Sequence, residues 1–97
     1  MKKMVRSWPF EDPENAAVIT THKIMKRQSP ILYVSHDDDD RMWQFLDGGD
    51  VSETEARILG LKEVIDIDPS LIQLADLPMG WVAWRETKFN QWISEKR

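Results

Sequence analysis

The densest group of chemistry-bearing side chains is Ser35-His36-Asp37-Asp38-Asp39-Asp40, followed by Arg41. Four consecutive carboxylates raise the question of a divalent cation. A calcium loop spaces its oxygen ligands at alternate positions, with glycine sixth and a carboxylate twelfth. Counting from Asp37 puts Arg41 fifth and Gly48 twelfth, and counting from Asp38 puts Met42 fifth. Neither start supplies the ligands, so no metal site is expected. Ser35, His36 and Asp37 are the residue types of a nucleophilic triad. Neighbours in an extended chain point to alternate faces, so these three cannot form one with each other. His22 is the only other histidine, and no spacing marks a third zinc ligand beside the pair. Glycoside hydrolysis needs two carboxylates at a set separation. Sequence cannot assign such a pair here, and a chain of 97 residues leaves little room for a substrate cleft. There is no glycine-rich phosphate cradle. There is no cysteine, which excludes disulfides, thiolate catalysis and cysteine-bound zinc. No catalytic residue and no cofactor is therefore expected, and the chain does not read as an enzyme.

The charge is unevenly placed. Residues 1–30 carry six bases and three acids, residues 31–80 three bases and twelve acids, and residues 81–97 four bases and two acids. The acidic middle repels phosphate backbones and favours basic partners. Nucleic-acid binding would need aromatics set in a basic groove, and the aromatics here have acidic neighbours. No apolar run approaches the roughly 18 residues of a membrane span. Met1–Phe10 has lysines but no apolar stretch, unlike a signal peptide. The expectation is a cytoplasmic protein without membrane or nucleic-acid partners.

The elements that position these groups follow from periodicity and punctuation. Residues 1–15 hold Pro9 and Pro13 and no steady period, and read as an irregular arm with Trp8 and Phe10 tacked onto the body. Residues 16–97 read as one domain. A strand is expected over Ala16–Thr20, then a short helix to Arg27 capped by Thr20 or Thr21 and stopped before Pro30. Ile31–Ser35 and Met42–Leu46 flank the acidic run and predict an antiparallel hairpin, with Trp43 and Phe45 on one face. The acidic run is then a solvated hairpin tip. Ser52 and Glu55 stand at capping-box spacing, predicting a helix that ends at Gly60. Leu61–Ile67 alternates loosely and suggests a strand. Asp68-Pro69 is a second helix start, with aspartate as cap and proline in the first turn. Gly80–Glu86 is a strand with Trp81, Ala83 and Arg85 on one face and Val82, Trp84 and Glu86 on the other. The chain closes on a strand or short helix at Gln91–Ser94. Strands and helices mix without β-α-β alternation, which predicts an α+β fold with a mostly antiparallel sheet of four or five strands and two or three short helices.

Five tryptophans are many for this length. Tryptophan builds cores and also anchors interfaces. Trp43 is placed in the core by its hairpin, and Trp84 is the better candidate for exposure. The residues expected to meet a partner are Asp37, Asp38, Asp39, Asp40 and Trp84.

Four segments carry a family resemblance: Ile31–Val34, Trp43-Gln44-Phe45-Leu46, Ile67-Asp68-Pro69-Ser70-Leu71, and the pattern Leu77-Pro78-x-Gly80-Trp81-x-Ala83-x-Arg85. Over residues 16–93 the chain resembles a bacterial family of small domains of unknown function, described as immunity-protein-like by association with polymorphic toxin systems. The closing pattern is the most specific piece. The resemblance implies no enzymatic activity and no cofactor. An immunity protein works by binding and occluding or distorting a toxin's active site, and an acidic surface suits a basic toxin. The expectation is a small binding protein with a protein partner, a homodimer being left open. The alternative is a small-molecule-binding or accessory domain of bacterial metabolism, and a pocket with convergent polar groups would favour it.

Overall fold

Among the described residues, alternating apolar residues form a six-stranded mixed sheet, and three short helices supply the rest of the core. The computed structural model describes residues 8–97, so the first part of the expected arm lies outside the described residues. The strands are β1 (Ala17–Thr21), β2 (Tyr33–His36), β3 (Trp43–Leu46), β4 (Ala56–Gly60), β5 (Trp81–Trp84) and β6 (Ile93–Lys96). Their order across the sheet is β4-β1-β3-β2-β5-β6. β1 and β3 are parallel, and every other neighbouring pair is antiparallel. The expected α+β class is found, with one strand more than expected.

The β2–β3 hairpin forms as its pattern predicts, Val34 opposite Phe45 and His36 opposite Trp43. α1 (His22–Met25) is capped by Thr21, whose hydroxyl accepts from the Ile24 N–H at 3.2 Å. Between Ser52 and Ile67 the expected order is inverted. Ala56–Gly60 is strand β4, and Leu61–Ile67 is helix α2. The spacing of Ser52 and Glu55 closes only a turn, the Glu55 N–H donating to the Ser52 carbonyl at 3.0 Å. The working cap lies further on, where the Gly60 N–H donates to the Glu63 carboxylate at 2.8 Å. Leu61, Val64 and Ile65 are buried and fall at helical, not alternating, spacing. Asp68 caps the next element as expected, but that element, Pro69–Leu74, is a 3-10 helix. Its buried residues Leu71 and Leu74 stand three apart, matching three residues per turn. Of the expected closing element Gln91–Ser94, Ile93 and Ser94 open strand β6, and Gln91 and Trp92 precede it.

All three helices bury their apolar residues against one face of the sheet. Val18, Val34, Trp43, Phe45 and Ala83 meet Ile24, Leu61, Val64, Leu71 and Leu74 there. Phe10 packs edge-on against Trp43 at 5.5 Å between ring centres, so this part of the arm is tied to the body.

Both sheet edges are guarded. In β6 the Arg97 N–H donates to the Gly80 carbonyl at 2.9 Å. Antiparallel pairing alternates, so Ser94 and Lys96 turn their backbone groups outward. A second copy adding here with Ser94 opposite Lys96 would set Glu95 against Glu95, a like-charge pair. At β4 the outward residues are Ala56, Ile58 and Gly60, because the His22 N–H bonds Glu55 and the Leu61 N–H bonds Ala16. The Ala56 carbonyl accepts from Arg57 Nη1 at 2.8 Å, and Glu63 takes the Gly60 N–H. Self-supplied charges therefore block both ends of that edge.

Candidate interaction face

Among the described residues the sheet's second face carries no helix. Strand register sets Leu46, Tyr33, Trp84 and Ile93 side by side across β3, β2, β5 and β6. All four are apolar or aromatic, and Trp84 and Ile93 are 36% and 49% exposed. Trp84 is thus on the surface as the alternation predicts. Further along the same face Ile58 of β4 stands beside Ile19, with Ile58 62% exposed. A solvated sheet face ordinarily alternates to polar residues. An uninterrupted apolar row there is the kind of surface that marks an interaction site.

The acidic tip lies at the other end of β2, about five residues or roughly 16 Å from this row. Its four aspartates are not equivalent. Asp38, Asp39 and Asp40 are exposed. Asp37 is only 6% exposed, which corrects its expected place on the solvated tip. One of its carboxylate oxygens accepts from Gln44 Nε2 at 2.6 Å, and the other meets Arg97 at 3.2 Å. Asp37 therefore ties the hairpin to the chain's last residue and is not free to bind a partner. Asp37, Asp39 and Asp40 each bring a carboxylate oxygen within 4.8 Å of one another. Those oxygens already have work: Asp39 accepts from the Asp40 N–H and Asp40 from the Met42 N–H. The cluster is the loop's own turn structure.

Ser35, His36 and Asp37 do not form a triad. Ser35 and Asp37 share the open face, and His36 points to the other. The His36 ring stacks on Trp43 at 3.9 Å, and its Nδ1 lies 2.8 Å from the Leu77 carbonyl. A carbonyl only accepts, so Nδ1 carries the proton. His22 Nδ1 lies 3.5 Å from the Arg57 guanidinium on the far side of the sheet order.

Sequence reasoning missed Arg85, which is 5% exposed. Its guanidinium donates to the Ile31 carbonyl twice, at 3.1 and 2.9 Å, to Asp68 at 2.6 Å, to the Ser70 hydroxyl at 3.2 Å and to the Lys88 carbonyl at 3.3 Å. It also lies 4.1 Å over the Trp92 ring. One side chain thus joins the segment leading into β2, the 3-10 helix and the β5–β6 loop. The signal was the isolated base in an otherwise apolar strand, set on the core-facing side.

Asp68 is both helix cap and ion-pair partner. Its Oδ1 accepts from the Ser70 N–H at 3.0 Å and the Ser70 hydroxyl at 2.7 Å. Burial pushes its carboxyl up, but the hydrogen bonds from Ser70 and Arg85 outweigh burial and hold it below the ordinary value of 3.8. A depressed carboxyl stabilises the fold above its unfolded pKa and loses that contribution as pH falls through the folded one. Asp68→Asn should therefore be less stable than wild type at neutral pH, the gap closing below 3.8. Urea melts across pH check this, and a gap independent of pH contradicts it. Because the charge serves Arg85, asparagine should not rescue the cap as it would at a cap without that partner.

A concavity lies elsewhere. A cleft of about 650 Å³ opens between the α1–β2 loop and the β5–β6 loop, with Ile67, Asp68 and Ser70 also lining it. No protein-family model, curated protein or solved structure matches the chain. Among the described residues no helix is long and apolar enough to cross a membrane.

Proposed function

We propose that the chain is a small non-catalytic binding protein that docks a basic protein partner on the open face of its sheet. The apolar row Leu46–Tyr33–Trp84–Ile93 carries this reading. The fold guards its edges with charge, and among the described residues no helix covers this row, where only the Arg97 side chain is seen to reach across to Tyr33. Twelve acids against three bases in residues 31–80 favour a basic partner, and the exposed Asp38, Asp39 and Asp40 steer its approach. The resemblance noted above makes a basic toxin the partner class, with the chain as the protein that occludes it.

Affinity capture from the organism's lysate, then binding to the purified captured protein, tests the reading. The expected result is a basic protein that binds one to one and is lost with Trp84→Asp. An acidic or neutral partner, or capture unchanged by Trp84→Asp, contradicts it. Replacing Asp38, Asp39 and Asp40 by asparagine should slow association roughly tenfold at low salt and flatten its salt dependence. Stability should stay within about 0.5 kcal/mol of wild type, as for most exposed positions. Stopped-flow mixing at two salt concentrations reads the rate, and an unchanged rate removes the steering role.

A second reading, a small-molecule-binding domain, is favoured by the cleft beside Lys88.

A further inference from the structure

The cleft has its own chemistry, independent of the open face. Its volume of about 650 Å³ lies within the range of about 300–1,000 Å³ common to small-ligand sites. Pro30, Ile31, Leu32, Ile67 and Phe89 give it an apolar lining. A recess of about 370 Å³ continues from it around Ser70, Lys88 and Phe89, and reaches Trp92.

Three observations bear on the occupant. The first is charge. Asp68 is matched by Arg85 at 2.6 Å, and among the described residues neither Arg27 nor Lys88 forms an ion pair. Arg27 and Lys88, the latter with its Nζ 5.3 Å over the Phe89 ring, then face one further carboxylate, Glu86. The second is conformation. Arg27 follows the last residue of α1's cap and holds φ at 60°, the left-handed region. Glycine is the usual residue at that position because it adopts the conformation without strain. A long cationic side chain is kept there against the backbone's preference, and it lines the cleft. The third is an orphan donor. Trp92 lines the recess, and its Nε1 is buried without an acceptor, while among the described residues no other buried side-chain nitrogen or oxygen lacks a partner. A buried donor left unpaired is costly, so an incoming acceptor gains by meeting it. Phe89, 87% exposed, lines the same recess as Trp92.

We propose that this cleft binds a small monocarboxylate with an apolar body. The carboxylate lies in the recess between Lys88 and the Trp92 indole N–H, and Arg27 adds to the positive field at the mouth. The apolar body lies over Pro30, Ile31 and Ile67.

The test is amide NMR of the full chain titrated with phenylacetate and octanoate, with phenylethylamine as the same ring bearing the opposite charge. The carboxylates should shift the amides of Ser29, Leu32, Ser70 and Lys88 saturably, with millimolar affinity for probes of this size. Lys88→Gln should weaken binding about fivefold, the scale of a partly screened charge pair. Arg27→Gly should weaken it similarly while leaving the melting temperature equal to or above wild type, since the strain is relieved. That variant separates loss of the ligand from loss of the fold. The proposal is overturned if neither carboxylate gives saturable shifts, if phenylethylamine binds as well, if the shifts map to the open sheet face, or if both variants bind like wild type.

Discussion

Arg85→Ala is expected to destabilise the fold by about 3–5 kcal/mol, the range for removing one member of a buried ion pair. The loss goes beyond the pair with Asp68. The Ile31 carbonyl accepts twice from this guanidinium, and nothing else among the described residues donates to it from the β5–β6 loop. Truncation would leave that carbonyl and the Asp68 carboxylate unmatched, and would uncover the Trp92 ring. Arg85→Lys should recover only part of the loss, because a single ammonium cannot serve Ile31, Asp68 and Ser70 in one plane. Equilibrium urea unfolding measures both. A loss under 1 kcal/mol for alanine would mean that the hub is not engaged in solution.

Trp43→Ala should cost about 3–5 kcal/mol, the range for a large buried aromatic. Trp43 is 2% exposed and touches aromatic rings on three sides: His36 at 3.9 Å, Phe10 at 5.5 Å and Phe45 at 5.9 Å. Domains of this size are stable by about 5–15 kcal/mol. Either substitution should therefore lower the melting temperature by on the order of 20 °C. A fall of under 5 °C for Trp43→Ala would place its ring outside the core and break the hairpin register.

The parts of this fold legible in sequence are those set by neighbours along the chain. The β2–β3 hairpin, the caps at Thr21 and Asp68, and the exposure of Trp84 all follow from spacing and alternation. What was misread depends on pairing at a distance. Ser52–Glu55 and Gly60–Glu63 both have a residue able to begin a helix with a glutamate three positions on. Only the second is used, because β1 draws residues 56–60 into the sheet and leaves the helix to start after Gly60. The burial of Asp37 had no local signal, since one partner, Arg97, lies 60 positions away and the other, Gln44, meets it only across the paired hairpin. Likewise Trp84 alone gives one point of the open face. The row it belongs to exists only once β3, β2, β5 and β6 are in register. The buried Arg85 network shows the same limit, for it joins Ile31 to a residue 54 positions on.

The central claim, that the face of the sheet opposite the helices is where a protein partner docks, is tested most directly by a footprint. Isotope-labelled protein is titrated with the purified captured partner, and amide and side-chain signals are followed by NMR. The account predicts that the strongest changes fall on Tyr33, Leu46, Trp84 and Ile93, with weaker ones at Asp38, Asp39 and Asp40. Changes centred instead on α1, α2 and the 3-10 helix, with the Trp84 and Ile93 signals unmoved, would contradict it.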